Sequence, residues 1–443
     1  MKAQKISKPF LALSGLNRDR QKSGLLTLEG RFDPPIHSPV QLTELEQRVA
    51  KNIESRAHDL LEDLRLHVSI PTGGNNQPAI EETRERFGIR LQELGAKTHM
   101  VPGDPKPDWL QGDQQGYYTP PTVVSERLNG AKENRVLVAG HLDTVHDPEG
   151  DFRELSIATD GKTALGPGCV DMKGGLVIAV AALEALEECG VGANWTFTMN
   201  ADEETGTYHS EQALIEQAKL HDFGLALEPA LPGGELAIER VGSGQFMIET
   251  TGKSAHVGRA FTDGVSAVVK LAECIQESSR FPEPERGKIL NIGPVKGGVA
   301  TNAVPDSAFA WGNVRFADNS IADELGVQLD ALQTDGDAMP AVKVYRSFNR
   351  PAKPLIPETE QLALRARSVA EALGQKLPFA KTGGVCDGNV LQNAGLPTID
   401  TLGVRGGGLH TKDEWIDLSS LVERCQLLAI LIARLSAGGS AAL

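Results

Sequence analysis

Three carboxylates stand side by side in the stretch MNADEETG, which covers residues 199–206. They are Asp202, Glu203 and Glu204, and they directly follow the apolar, strand-like run WTFTMN. Neighbouring side chains at the end of a strand point in different directions, so two of them can do different work. One carboxylate can bind a cation while the next stays free and takes a proton from the metal's water. A solvated acidic turn is the alternative interpretation.

Histidines and carboxylates also follow other apolar runs or lie in glycine-rich loops. His141 and Asp143 follow VLVAG, Asp171 follows the loop GPGCV, Glu228 follows FGLAL, and His410 lies in GGGLHTKDE. The carboxyl ends of strands are where ligands bind in an open α/β sheet. Each position also has a plainer interpretation, such as helix capping by Asp171.

Taken together, these positions offer two imidazoles and three carboxylates as ligands, with one carboxylate to spare. Imidazole combined with oxygen donors suits zinc better than magnesium or calcium. Five ligands exceed one tetrahedral site, but they suit two ions that share a bridging aspartate. Such a pair polarises a carbonyl group and makes hydroxide available at neutral pH. The sequence therefore predicts a hydrolase, with an amide as the expected bond.

The bulk composition limits the other functions. A formal charge of −15 and a pI near 5.2 argue against nucleic acid as a partner, since phosphate binding needs basic patches. No apolar run is long enough to cross a membrane. Five widely spaced cysteines without a CxxC pair favour free thiols in a reducing compartment, so we expect a cytoplasmic protein without a secretory signal.

The elements around the candidate residues predict an α/β fold with a mostly parallel twisted sheet flanked by helices. A strong helix in DMKGGLVIAVAALEALEECG separates two of the expected strands, and strand–helix–strand order is typical of parallel pairing. The expected strands are 98–101, 136–140, 195–200 and 223–228. A single helical pattern runs from about 42 to 70, and a second helix is expected over 81–93.

After about residue 239 the order changes to strand, helix, strand, strand, helix, strand. This βαββαβ order is the signature of a ferredoxin-like α+β sandwich. From about residue 352 the first pattern resumes. The expected organisation is an N-terminal arm at 1–40, a discontinuous catalytic domain at 41–238 and 352–443, and an inserted domain at 239–351.

Five motifs in this order resemble a known superfamily of metallopeptidases. HLDTV, GCVDMKGG, DEETG, LEP and GGLHTKDE are similar to motifs of the di-zinc aminoacylase, glutamate carboxypeptidase, acetylornithine deacetylase and succinyl-diaminopimelate desuccinylase group. The resemblance covers about residues 50–435. It implies a zinc exopeptidase-like fold in which the inserted domain serves as a lid and as the site of dimerisation.

The resemblance also implies a role for each residue of the motifs. Two zinc ions, with cobalt or manganese as substitutes, would be held by His141 and Glu228 on one side, Glu204 and His410 on the other, and Asp171 between them. Glu203 would be the general base, and Asp143 would orient His141. In the inserted domain, His256 would stabilise the tetrahedral oxyanion, in the same subunit or across a homodimer.

Substrate contacts are implied for Asn302, Arg315 and the glycine loop TGGVCDGN, which contains Gly384. Two positions depart from the family pattern. Cys386 stands where a hydroxyl residue is usual, and Leu236 stands where glutamate-specific members carry a lysine. Recognition of a glutamate side chain is therefore not expected, although Arg240 or Arg315 could hold an α-carboxylate.

The leading hypothesis is a hydrolase that cuts a peptide or N-acyl amide bond next to a free carboxylate, acting on a small peptide or an N-acyl amino acid. The alternatives are a deacetylase or desuccinylase of small N-acyl amino acids and, from another class, an inactive metal-binding protein. The remaining histidines fit no ligand position. We expect surface or structural roles for His146, His209 and His221, and surface or helix-face positions for His37, His58, His67 and His99.

Overall fold

Helices and strands follow each other through most of the computed structural model, which describes residues 41–73, 76–111, 118–129, 134–336 and 338–438. The expected arm at 1–40, with His37, lies outside the described residues. The helices are α1 (Glu44–Ser55), α2 (Ala57–Ser69), α3 (Gln77–Glu93), α4 (Gly174–Glu188), α5 (Glu211–Ala218), α6 (Val257–Ala260), α7 (Ala267–Ser278), α8 (Asn319–Asp330), α9 (Pro357–Ala372), α10 (Asp387–Asn393) and α11 (Ser419–Ser436).

The strands are β1 (Lys97–Val101), β2 (Thr122–Arg127), β3 (Val136–His141), β4 (Ser156–Ile157), β5 (Thr163–Leu165), β6 (Trp195–Asn200), β7 (Phe223–Ala226), β8 (Leu236–Arg240), β9 (Gly242–Thr251), β10 (Ala255–His256), β11 (Lys288–Gly297), β12 (Ala303–Val304), β13 (Ser307–Phe316), β14 (Ala341–Arg350), β15 (Phe379–Thr382), β16 (Thr398–Ile399), β17 (Gly406–Gly407) and β18 (Trp415–Asp417).

A six-stranded sheet in the order β1-β2-β6-β3-β7-β16 forms the centre of the larger part. The neighbours β6, β3, β7 and β16 run parallel, whereas β1 and β2 extend the sheet in antiparallel fashion. All residues of β3 and β6 are buried, as expected for parallel strands covered by helices on both faces. The predicted mostly parallel sheet is confirmed, and β2 is an additional strand.

Helix α4 is the central helix of this part. Twelve of its residues are buried, so nearly its whole length is enclosed by the protein. Helices α1, α2 and α11 contact it. The single helix expected from about 42 to 70 is wrong: α1 ends at Ser55 and α2 begins at Ala57. Arg56 lies at the break, where its guanidinium pairs with Glu184 of α4 at 2.5 Å.

A second sheet in the order β11-β13-β9-β14 is antiparallel throughout. The chain reaches these strands in the order β9, α7, β11, β13, α8, β14, so the expected βαββαβ order is present. Apolar side chains of α7 and α8 pack with one face of the sheet in a hydrophobic cluster that includes Phe246, Leu271 and Leu325. Along β13, buried residues alternate with partly exposed ones, so the other face is free to line a cleft.

His67 is buried, which differs from the expected surface or helix-face position. Only 1% of it is exposed, and its ring stacks on Phe87 with 4.0 Å between centroids. Burial, with the nearby charge of Arg90, lowers the pKa of His67 to about 3, so the ring is neutral. His58 and His99 are exposed as expected. Across the described residues, helices that are long and apolar enough to cross a bilayer are absent.

Candidate metal centre

The candidate residues meet at one edge of the six-stranded sheet. Strands β6, β3 and β7 are parallel neighbours, so their carboxyl ends lie side by side. His141 is the last residue of β3, Glu203 and Glu204 follow β6, and Glu228 follows β7. Asp171 comes from the irregular helical turn before α4, and His410 comes from the turn between β17 and β18.

Asp171 lies between two groups of side chains. Its Oδ1 atom is 3.3 Å from Nε2 of His141, and that nitrogen is 3.9 Å from Oε1 of Glu228. Its other oxygen, Oδ2, is 3.4 Å from Nε2 of His410, which is 3.3 Å from Oε2 of Glu204. Each oxygen of one carboxylate therefore faces a different histidine–glutamate pair, which is the arrangement that two cations sharing one carboxylate require.

The chemistry of these donors fits bound cations. Among the described residues, Nε2 of His141, Oδ1 of Asp171 and Oε1 of Glu204 are buried and have no hydrogen-bond partner. Potential ligand atoms of His141, Asp171 and Glu204 lie within 4.8 Å of one another. Burial raises the pKa of Glu204 and of Glu228, because ionised carboxylates lose hydration there. Divalent cations would offset this crowding of negative charge.

Asp143 supports two of the candidate ligands. Nδ1 of His141 lies 2.9 Å from the carbonyl oxygen of Asp143 and 3.4 Å from its Oδ1 atom. The other carboxylate oxygen, Oδ2, accepts a hydrogen bond from the backbone N–H of Glu204 at 3.0 Å. These contacts turn Nε2 of His141 towards Asp171 and tie the end of β3 to the turn after β6.

Glu203 has a different environment from Glu204. Its Oε1 atom lies 2.9 Å from a guanidinium nitrogen of Arg350, and it is not placed in either of the two groups around Asp171. Burial raises the pKa of Glu203 to about 8, against the opposing charge of Arg350. A carboxyl group with a pKa near neutrality can both accept and return a proton.

Sequence reasoning missed Arg350, the last residue of β14. Its side chain is buried at the junction of the two sheets, where it also donates to the hydroxyl of Thr207 and to the carbonyl of Glu203. The only local signal is an arginine placed directly before a proline at the end of a strand.

Asp202, the first carboxylate of the triplet, has a structural role. Its side chain accepts hydrogen bonds from the backbone N–H of His209 and from the hydroxyl of Ser210, both at 2.6 Å. These contacts close the turn after β6. His209 and His221 also have structural hydrogen bonds, to the carbonyl groups of Asp104 and Gln217 respectively.

A cavity of about 640 Å³ opens in front of Asp171, Glu203, Glu204, Glu228 and His410. Its opposite wall comes from the free face of the second sheet and from the glycine loop. Arg315 and Gly384 line it, whereas His256 and Asn302 are not among the described residues that do. These two are exposed, and they lie together, since the N–H of Val257 bonds to the carbonyl of Asn302 at 3.0 Å.

The two candidate arginines for a substrate carboxylate differ in their contacts. Nε and Nη2 of Arg240 both donate to Oδ1 of Asp400, at 2.9 and 2.7 Å. Nη1 of Arg315 is buried and has no hydrogen-bond partner among the described residues. Arg315 is therefore the better candidate for binding a substrate carboxylate, because Arg240 already binds Asp400. Leu236 and Cys386 are fully buried and do not line the cavity.

Comparisons with known proteins identify relatives of this chain. A sequence profile of peptidase family M20/M25/M40 matches residues 137–434. Carboxypeptidase G2 of Pseudomonas sp. (strain RS-16) is 31% identical over 385 residues, which cover 86% of this chain and 90% of that protein. Succinyl-diaminopimelate desuccinylase 2 of Shewanella loihica is 26% identical over 334 residues, covering 68% and 85%.

Solved structures show the same fold. The crystal structure of aminopeptidase PepT from Bacillus cereus superposes with a TM-score of 0.65 at 20% identity. The superposition covers 86% of this chain and 98% of PepT.

Proposed function

The chain belongs to peptidase family M20/M25/M40 and is a metal-dependent hydrolase of peptide or N-acyl amide bonds, and we propose that it uses two zinc ions to cut such a bond next to a free carboxylate. The observation that carries this proposal is the placement of Asp171, whose two oxygens face different histidine–glutamate pairs. His141 and Glu228 would hold one ion, and Glu204 and His410 the other. Cobalt or manganese would substitute for zinc.

When bound, the two cations would polarise the scissile carbonyl and lower the pKa of a water molecule. Within the chain, Glu203 is the carboxylate beside the ligands that is left free to move a proton. It would accept the proton of the attacking water and then deliver it to the leaving amine. Arg350 holds Glu203 through its 2.9 Å contact, and Asp143 holds His141.

We assign the free carboxylate of the substrate to Arg315, because this residue lines the cavity and its Nη1 atom has no hydrogen-bond partner among the described residues. A guanidinium binds a carboxylate with charge-assisted hydrogen bonds, which fix the orientation of the neighbouring amide. The backbone of Gly384 would pass close to the same substrate. A side chain at this position would approach Arg240, since its β carbon would lie 3.4 Å from Nη1 of that arginine.

A matched pair of substrates tests the function. The zinc-loaded protein should hydrolyse N-acyl amino acids and dipeptides with a free carboxylate, and it should act poorly on the same compounds as carboxamides. Arg315→Ala should raise KM for the free acids about 10- to 100-fold, the value of a charged hydrogen bond, and change KM for the carboxamides little. Hydrolysis is followed as released amine.

The control variant is Arg346→Ala, because Arg346 lies on β14 and pairs with Asp330 outside the cavity. It should leave both KM values unchanged. Equal turnover of acids and carboxamides by the wild-type protein would contradict the assigned carboxylate site. A panel in which only small acetyl or succinyl compounds react would instead identify a deacylase, in line with the similarity to a desuccinylase.

We infer that the segment 239–351 acts as a lid and joins two copies of the chain. Its outer strand β11 leaves Ile289 and Val295 exposed at 44% and 53%, and Val269 of α7 is exposed at 58%. An uncovered strand edge with apolar side chains favours pairing with a second copy. A homodimer would also explain why His256 and Asn302 are exposed and outside the cavity of their own chain: His256 of the partner subunit would reach it.

Co-expression of two inactive variants tests this inference. Glu203→Gln and His256→Ala are each expected to be nearly inactive. If His256 acts across the interface, a statistical mixture contains half mixed dimers with one intact site each, and about a quarter of the wild-type activity returns. No recovery in dimers shown to be mixed would place His256 in its own subunit's site. A monomer in sedimentation experiments would exclude the homodimer.

All five cysteines are free and buried. Free thiols are typical of reducing compartments, and this supports our inference that the protein acts in the cytoplasm.

A further inference from the structure

Glu414 is a buried carboxylate that no role assigned so far uses. It is 1% exposed and follows His410 by four residues. Its Oε1 atom accepts hydrogen bonds from the N–H groups of Val170 and Asp171, at 3.0 and 3.1 Å. Its Oε2 atom accepts from the N–H of Gly168 at 2.9 Å and lies 2.5 Å from Nε2 of His146.

The backbone from Gly168 to Asp171 thus directs three N–H groups at the carboxylate of Glu414. Gly168 has a φ of +67°, which favours glycine, and a β carbon there would lie 2.6 Å from Cγ2 of Thr144. Three convergent N–H groups form a nest that suits a carboxylate. Without the anion, these buried donors would lack partners, which is costly in a protein interior. The position of Asp171 therefore depends on Glu414.

Glu414 is also fixed to the turn that presents His410. The N–H of Thr411 bonds to the carbonyl of Gly408 at 3.2 Å, and the N–H of Glu414 bonds to the carbonyl of Thr411 at 3.3 Å. The carbonyl of Glu414 in turn accepts from the N–H of Gly166 at 3.1 Å. One residue thus joins the loop that carries Asp171 to the turn that carries His410.

We propose that Glu414 is a positioning residue that sets the distance between Asp171 and His410 and thereby determines how tightly the ions are held. It is not itself a ligand, because three N–H groups and an imidazole nitrogen already surround its oxygens. This inference rests on the proposed ligand set. Partners of metal ligands commonly change metal affinity 10- to 100-fold when they are replaced.

The test is Glu414→Gln. Oε1 can remain an acceptor for Val170 and Asp171, but the new amide NH2 then meets the N–H of Gly168, so two donors face each other. We expect zinc affinity to fall about 10- to 100-fold, as measured by competition with a chelator of known affinity. At saturating zinc, kcat should return towards the wild-type value. Asp417→Asn is the control, since Asp417 pairs with Arg405 and does not contact the loop.

Two further variants separate positioning from general stability. Glu414→Asp keeps the charge but shortens the reach, so its zinc affinity should lie between wild type and Glu414→Gln. His146→Phe leaves the three N–H contacts in place and should weaken binding less. If Glu414→Gln lowers Tm but its folded fraction binds zinc like wild type, the proposal is overturned. If it does not fold, Glu414→Asp with wild-type affinity overturns it. A wild-type protein that binds no zinc would instead refute the proposed ligands.

Discussion

Replacing Glu203 by glutamine should lower kcat about a thousandfold, the middle of the range for loss of a general base or acid, while both ions stay bound. Glutamine keeps the size and the contact with Arg350, but it cannot accept the proton of the attacking water. Oε1 of Glu203 is 2.9 Å from Arg350, whereas the proposed ligand oxygens face the histidines. The measurements are kcat for a free-acid substrate and zinc content per chain.

A matched control for this variant is Glu235→Gln. Glu235 is also buried, but its side chain accepts from the N–H of Gly233 in its own turn, and it does not line the cavity. It should keep nearly full activity. Glu203→Gln with normal kcat would show that another group moves the proton. Loss of zinc together with activity would show that Glu203 is a ligand.

Replacing Asp171 by asparagine should abolish activity by releasing the ions. One amide oxygen can bind one cation, whereas the amide NH2 would point at the second cation or its histidine. We therefore expect zinc affinity at both positions to fall by 100-fold or more, at or beyond the upper end of the range known for partners of metal ligands. Zinc at 100 times its Kd stabilises a folded protein by about 2.7 kcal/mol, so the rise in Tm on adding zinc should disappear in the variant.

Asp202→Asn provides the comparison. Asp202 is buried, as Asp171 is, and lies just after β6, but its carboxylate accepts hydrogen bonds from the backbone N–H of His209 and the hydroxyl of Ser210. This change should lower stability and leave zinc binding intact. Two zinc ions retained by Asp171→Asn after dialysis would rule out Asp171 as the bridge.

The candidate ligands at strand ends could be predicted from the sequence, because the apolar run that marks each strand directly precedes them. His141 and Glu228 each follow a run of apolar residues, and parallel strands bring their carboxyl ends to one edge of the sheet. The βαββαβ order of the second sheet is also readable from the alternation of elements. Neither inference needs knowledge of which distant residues touch.

Arg350 and Glu414 could not be found in this way. Arg350 contacts Glu203 from 147 residues away, and Glu414 contacts Asp171 across 243 residues. Strand β2 was missed for a related reason. Its buried residues include the polar Thr122 and Ser125, so the sequence lacks the continuous apolar run that marks a buried strand such as β3. The hydroxyl of Ser125 lies 2.9 Å from that of Thr98 on β1, so the fold supplies a partner that the sequence does not reveal.

The order in which the proposed ligands occur along the chain has a consequence for biosynthesis. His141 and Asp171 are synthesised well before His410 and Glu414, which lie directly before α11. Helix α11 packs on α4 and α1 and so completes the larger part of the fold. During synthesis, the carboxylates that follow β6 and β7 are therefore present before the turn that carries His410. With the proposed ligands, the two ions can be held together only after the turn that carries His410 has folded against the loop that carries Asp171.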